Sequence, residues 1–349
     1  MKIALCHHYS LTFYGGGERF LIDVSKQLVK RGHEVTIHAL PIGRRAIDIK
    51  DLTSSFEYKE NFIHFISDAD VAYFIYAPVV NYFFIGNCPR ICAFHSFVFL
   101  NELQHSEIKK MKNSVFLRKF GILRFASRLF FGKIEQRLLK EFDAIHVINK
   151  NALNKFQKWK RTYYIPNWID TSCFKSSEDR YEKFSVLFSG RKSKGFSEFM
   201  EVADNMQGKG IDFFAIGPDI ENTNSVRSLG FKTNVEELVR VYSRVHLLLY
   251  TSKIDVFPLT LVEAAACKIP IISFPTEAVK GLELPISYAR SKKEFTRRIL
   301  SVYQMWQTRR EKYDELADNM RLQAKKYDVN NVFPEFLNML RKVANINAS

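Results

Sequence analysis

The chain has 349 residues, 46% hydrophobic and 26% charged, a balance that excludes global disorder and suits two domains of roughly 100–200 residues each. Lys and Arg outnumber Asp and Glu by 52 to 37, a net charge of +15, which calls for an anionic partner: nucleic acid, a phosphorylated substrate or an anionic membrane face. No apolar stretch reaches the roughly 18 residues that cross a bilayer, and the opening apolar run is shorter than a signal-peptide core, so the expectation is a cytoplasmic protein, soluble or peripheral on the inner membrane face.

Strand and helix patterns alternate in chain order, the signature of an α/β fold with mostly parallel sheets. Residues 2–6 read as a buried strand. Gly15-Gly-Gly-Glu-Arg19 opens a helix whose stripe is Phe20, Val24 and Leu28, spaced by four. Gly32 caps that helix and residues 34–40 form the next strand, which completes one βαβ unit. Further strands are expected at 71–76, 90–94 and 144–148. Pro, Asn and Asp then cluster in Ile165-Pro-Asn-Trp-Ile-Asp170, where a domain boundary is expected. The pattern restarts with strands at 185–189, 213–216, 246–250 and 270–274, helices at 235–243 and 259–267, and helices through most of the tail from Lys292.

Cys6, Cys88, Cys92, Cys173 and Cys267 are odd in number, and no second Cys/His pair with zinc spacing accompanies the close pair Cys88 and Cys92. They read as reduced thiols, with no metal site.

Three segments carry chemistry. Gly15, Gly16 and Gly17 before a helix allow close backbone approach to a ligand, and the helix start favours an anion. A plain loop and helix start is the bland reading, and the dinucleotide-fingerprint spacing is absent. Gly190-Arg-Lys-Ser-Lys-Gly195 follows a strand directly, where doubly wound sheets bind ligands. Arg191 and Lys194 there suit a diphosphate, as a planar fork and a point charge, unless the segment is simply an exposed basic turn. Asp255-Val-Phe-Pro-Leu-Thr-Leu-Val-Glu263 sets two acids across a helix start, with N–H groups near Leu259 and Thr260 free for a ligand. The bland reading is an acid pair that suits the helix dipole.

Together these segments resemble the GT-B retaining glycosyltransferases, the family 4-like glycosyl transferases of group 1. Asp255…Glu263 is similar to that family's Glu-x7-Glu motif, with Phe257, Leu259, Glu263 and Ala264 in place. Ser189-Gly-Arg…Lys-Gly195 is similar to its Gly-Arg…Lys-Gly loop, and Ile165-Pro-Asn-Trp-Ile-Asp170 to its interdomain Pro-Asn-Gly-x-Asp. Leu229-Gly230, Glu237-Leu238 and Tyr242 match the stretch leading to the acid motif, and Gly15-Gly-Gly-Glu-Arg19 the N-terminal glycine loop. The ordered set spans nearly the whole chain.

The resemblance implies two Rossmann-like doubly wound domains facing across a cleft. Residues 1–166 would bind the acceptor and 167–330 the sugar nucleotide, with the C-terminal helix in 331–349 packing back on the first. It implies hexose transfer with retention from a UDP- or GDP-sugar, without metal or other cofactor. Arg191 and Lys194 would hold the donor diphosphate, Glu263 the ribose and Asp255 the sugar hydroxyls. Gly190 and the run Phe257, Pro258, Leu259, Thr260 would line the donor site. Gly15 and Gly16 would touch phosphate or sugar, and His95 would lie near the reacting centre. Without the resemblance His95 could equally be a satisfied polar residue at a strand end, and His7 and His8 compete with it. Departures from the family pattern are Asp255 for Glu, Pro258 for Gly, Trp168 and Lys268 at glycine positions, and a short Arg191–Lys194 spacing that makes Lys192 an alternative lysine.

Residues 109–140 interleave Lys and Arg with Phe116, Phe120, Phe125, Phe130 and Phe131. Such a stretch suits the headgroup layer of an anionic membrane, or two helices with one buried face. No nucleic-acid module accompanies it, so nucleic acid is not the expected partner. The acceptor would be a glycan, a lipid-linked sugar or a protein. The rival readings are an epimerase or phosphorylase on the same fold, and a sugar-nucleotide or nucleic-acid binding protein with a lapsed active site.

Overall fold

The computed structural model describes residues 1–44, 47–61, 65–75, 78–95, 139–156, 161–177, 179–232 and 234–345. Residues 109–138 of the basic aromatic segment lie outside the described residues, as does Tyr76 at the end of an expected strand. The chain divides into two compact units, Met1–Pro166 with Pro334–Ser349, and Asn167–Phe333.

The first unit is built on a parallel sheet. Its strands in chain order are β1 (Lys2–His7), β2 (Glu34–Ala39), β3 (Glu57–Glu60), β5 (Val71–Ile75), β7 (Arg90–Phe94), β8 (Ala144–Val147) and β9 (Arg161–Tyr164). A separate parallel pair is formed by β4 (Phe65–Ile66) and β6 (Phe84–Ile85). The sheet order is β3-β2-β1-β5-β7-β8-β9. Winding therefore reverses between β1 and β5, the switch point where open α/β sheets leave a crevice at the carboxyl edge.

The central strands are apolar because both faces are covered: β5, Val-Ala-Tyr-Phe-Ile, is buried at every position. The edge strand β3 is Glu-Tyr-Lys-Glu with no fully buried residue, and its charges suit an exposed edge. The helix Gly16–Val29 buries Phe20, Leu21, Val24 and Leu28, each contributing about 1.5–3 kcal/mol of apolar burial. The chain turns away from it through Gly32, whose φ of 79° is a conformation glycine adopts without steric cost.

The second unit repeats the scheme with β10 (Ser185–Ser189), β11 (Asp212–Ile216), β12 (Arg227–Ser228), β13 (Leu247–Tyr250), β14 (Ile271–Ser273) and β15 (Ser287–Tyr288). The order β12-β11-β10-β13-β14-β15 puts its switch point between β10 and β13. Phe184, Phe188, Phe196, Phe199 and Phe213 dominate its core. Trp168 is buried and meets the Phe333 ring edge-on at 5.5 Å. Its neighbour Ile169 exchanges backbone bonds with Tyr327 and Val329, and Thr171 donates to the Asp328 carboxylate from its N–H and its hydroxyl. A bulky residue here fastens the start of the unit to its end. Lys268, at the other position where a glycine is expected, takes the left-handed φ of 58° in closing the helix Leu259–Ala266.

Candidate active site

In the second unit the loop Gly190–Gly195 leaves the carboxyl end of β10, the strand at the switch point. Two glycines hold it. A Cβ on Gly217 would lie 1.9 Å from the Gly190 carbonyl oxygen, and one on Gly195 would lie 2.3 Å from that of Thr251. Thr251 also donates its hydroxyl to the Gly195 carbonyl at 2.7 Å, and the Gly190 N–H donates to the Ile216 carbonyl at 3.0 Å. The loop is thus clamped between the ends of β11 and β13. A turn from Lys194 N–H to the Arg191 carbonyl, 2.8 Å, gathers Arg191, Lys192 and Lys194. Lys192 is exposed and the other two are partly buried.

Asp255 stands in the loop after β13. Its Oδ2 accepts from Lys194 Nζ at 2.7 Å and from Tyr250 Oη at 2.7 Å, and its Oδ1 from the Val256 N–H at 2.9 Å. The two ends of the expected donor site meet at this pair. Burial, and then the Asp255 carboxylate, push the Tyr250 phenol well above its ordinary value, so it stays a donor. Tyr250 supports a shorter acid from below, a contact the motif spacing does not reveal.

Glu263 is 2% exposed. Its Oε2 accepts from Tyr242 Oη at 3.1 Å. The one phenolic hydrogen being spent, Ser189 Oγ donates to Tyr242 Oη across 2.9 Å. The second acid is thereby tied to the last residue of β10. One expectation is corrected. The Leu259 N–H is not free: it donates to the Phe257 carbonyl at 3.0 Å. Pro258, at φ −77° and ψ 89°, closes an inverse γ-turn there, which uses the Leu259 donor. Phe257 and Pro258 are buried, and Leu259 and Thr260 partly so.

In the first unit Gly15, Gly16 and His95 lie at the carboxyl edge, after β1 and after β7. The glycine loop is fixed from within. Glu18, 3% exposed, accepts from the Gly15 N–H through Oε2 at 2.6 Å and contacts His7 Nε2 through Oε1 at 2.7 Å. Burial pushes the Glu18 carboxyl up. The hydrogen bond and charge of His7, with the backbone N–H groups, outweigh that and hold it below the ordinary value. Burial and the neighbouring His7 bring His8 down to about 3, which removes it as a cation near neutrality. His95 contacts Tyr73 Oη through Nε2 at 2.8 Å. Spacing along the chain signals none of these partners except Glu18, which sits at the third helical position after a capping glycine.

Among the described residues no cluster of three or more His, Cys, Asp or Glu side chains is placed to hold a metal ion, and no helix is long and apolar enough to cross a membrane.

Residues 175–326, which include the basic loop and both acids, match the family model of glycosyl transferases group 1. The second unit belongs to the glycosyl transferases group 1 family. The first-unit motifs lie outside the matched residues. The fold agrees over the whole chain. The sucrose-phosphate synthase of Thermosynechococcus elongatus matches with a TM-score of 0.72 at 14% identity over 100% of both chains. A glycosyltransferase from Rickettsia africae matches at 0.70 and 13% over 99% of each. The Anabaena protein HepE, solved with UDP-glucose, matches at 0.72 and 16%, over 98% of this chain and 100% of that one. A search of curated proteins by sequence returns no match. At such identities the solved structures carry the fold, which is the GT-B type: each unit of this chain is a doubly wound, Rossmann-like sheet.

Proposed function

We propose that this glycosyltransferase moves a hexose from a UDP- or GDP-sugar to a hydroxyl acceptor, with retention and without a metal. Departure of the nucleoside diphosphate concentrates negative charge on its terminal phosphate, and groups already aimed there lower the barrier. Arg191 and Lys194 take that role, with Lys192 beside them. Glu263 accepts from the ribose and Asp255 from the sugar hydroxyls, with Gly190 and the run Phe257, Pro258, Leu259 and Thr260 lining the site. In the first unit, Gly15, Gly16 and His95 are the proposed ligand-contacting residues.

The observation that carries the reading is the pairing of Lys194 with Asp255, at 2.7 Å, at the carboxyl ends of the two strands that flank a switch point. A basic group for phosphate and an acid for hydroxyls there form one site for a molecule that has both. UDP is favoured over GDP by the likeness to HepE, which was solved with UDP-glucose. The acceptor is a glycan, a lipid-linked sugar or a protein, and residues 109–140 suit one held at an anionic membrane surface.

A thermal-shift series with UDP, GDP and their common sugar conjugates, all in EDTA, tests the donor site. One diphosphate nucleotide should raise the melting temperature by several degrees, since a ligand at a hundred times its Kd adds about 2.7 kcal/mol. No shift with any of them would remove the donor site from the account.

A further inference from the structure

Two buried groups and a partly buried histidine form a directed chain in the first unit. His146, on β8, sends Nε2 to the Ile165 carbonyl at 2.8 Å, and its Nδ1 lies 2.7 Å from Tyr73 Oη. Tyr73, on β5, in turn lies 2.8 Å from His95 Nε2. Tyr73 and His146 are fully buried.

The direction follows from elimination. A carbonyl only accepts, so His146 Nε2 carries hydrogen. Burial brings the His146 imidazole down to about 4, so near neutrality it holds one hydrogen and its Nδ1 is bare. Tyr73 must then donate to that nitrogen. Its only hydrogen is spent, and toward His95 it can only accept, so His95 Nε2 carries hydrogen. His95 is itself held neutral, by burial first and then by His146 and His7. Its Nδ1 is therefore a bare lone pair. That atom has no hydrogen-bond partner among the described residues.

An unmet buried polar atom is costly. This network is complete at every atom but the last. The last atom belongs to the residue that follows β7 at the carboxyl edge, beside the Phe20 ring at 4.3 Å.

We propose that Tyr73 and His146 are positioning residues that lock His95 as the Nε2–H tautomer, so that it offers a hydrogen-bond acceptor to a substrate hydroxyl and repels a phosphate oxygen. The identity of the ligand rests on the glycosyltransferase reading; the tautomer does not. In this arrangement His95 adds no charge to the departing diphosphate and selects a neutral O–H group, on the sugar or the acceptor. Which ring nitrogen of a histidine carries its hydrogen is set by the partner of the other, and here that partner is a phenol two residues before the end of β5.

Long-range proton–nitrogen correlation on the full-length protein labelled at histidine nitrogen reads the tautomers directly, with His95→Gln used for assignment. The wild type near neutral pH should show His95 hydrogenated at Nε2 and bare at Nδ1. Tyr73→Phe should convert His95 to a mixture of tautomers. It should lower kcat for sugar transfer about tenfold to a hundredfold, the scale seen for outer partners that orient a ligand, with UDP affinity unchanged. A hydrogen on His95 Nδ1 in the wild type overturns the proposal, and that spectrum decides even if the variant does not fold. So does a Tyr73→Phe variant with the wild-type His95 spectrum and kcat. If the wild type turns over no nucleotide sugar yet shows the expected tautomer, the glycosyltransferase reading fails and the relay stands.

Discussion

Arg191→Ala should cut kcat/KM for donor turnover by about 10²–10³, the loss found when one preorganised donor to a developing oxyanion is removed. Arg191 occupies the turn closed by the Lys194 N–H, at the end of the strand beside the switch point. The guanidinium presents a fork that matches two phosphate oxygens at once, and no neighbouring lysine can reproduce that. The clamp on this loop consists of Gly195, Gly217 and Thr251, none of which involves the Arg191 side chain. The melting temperature should therefore move far less than the rate. Steady-state kinetics beside a melt of the same preparation measure both. Unchanged kcat/KM would remove Arg191 from the diphosphate site. Lys192→Ala and Lys194→Ala then apportion the lysine role, with Lys194 expected to matter more because its ammonium already lies at Asp255.

Glu18→Gln should destabilise the protein by about 1–3 kcal/mol near neutral pH, the cost of leaving a buried donor without its acceptor. Both carboxylate oxygens of Glu18 are in use, one on the Gly15 N–H and one on His7 Nε2. An amide can accept at only one of them. The pH dependence has a fixed sign. Glu18 titrates in the folded protein below its ordinary value of 4.5, so its stabilisation is complete above that pH and is lost as pH falls through the folded value. Melting curves from neutral pH into that acid range should decline in the wild type and decline less steeply in Glu18→Gln. Parallel curves for the two proteins would mean that the carboxylate does not hold the glycine loop.

The parts of this molecule legible from sequence are those where one local pattern has one physical meaning. The continuous apolar runs of β1, β7 and β10 can only be strands covered on both faces. Gly195 and Gly217 stand where neighbouring backbone leaves no room for a Cβ, so the basic loop announces itself by its glycines. The acid spacing of Asp255 and Glu263 survives as a helix start with one acid on either side.

What escaped the sequence depends on contacts between distant positions. His7 meets the Ile75 carbonyl region from 68 residues away, and Tyr73 reaches His146 across 73. No periodicity encodes such a meeting; the order of strands in the sheet creates it. The hydroxyls of Tyr250 and Tyr242 meet the two acids, contacts that neither the strand pattern nor the helix pattern encodes. The short edge strands β3 and β9 were invisible for a different reason: Glu-Tyr-Lys-Glu and Arg-Thr-Tyr-Tyr carry the polar composition of loops because one side of each faces solvent. The Leu259 N–H is consumed by a tight local turn that helix-start spacing does not reveal.

The most direct measurement is turnover of UDP-glucose and a panel of other UDP- and GDP-sugars by the wild-type chain in EDTA. Released nucleotide is followed, and the anomeric configuration of the first sugar product is read by proton NMR. Nucleotide release from one donor, with the product keeping the configuration of that donor, is the predicted result. No release from any donor, or release that needs an added divalent metal, or an inverted product, would contradict the account.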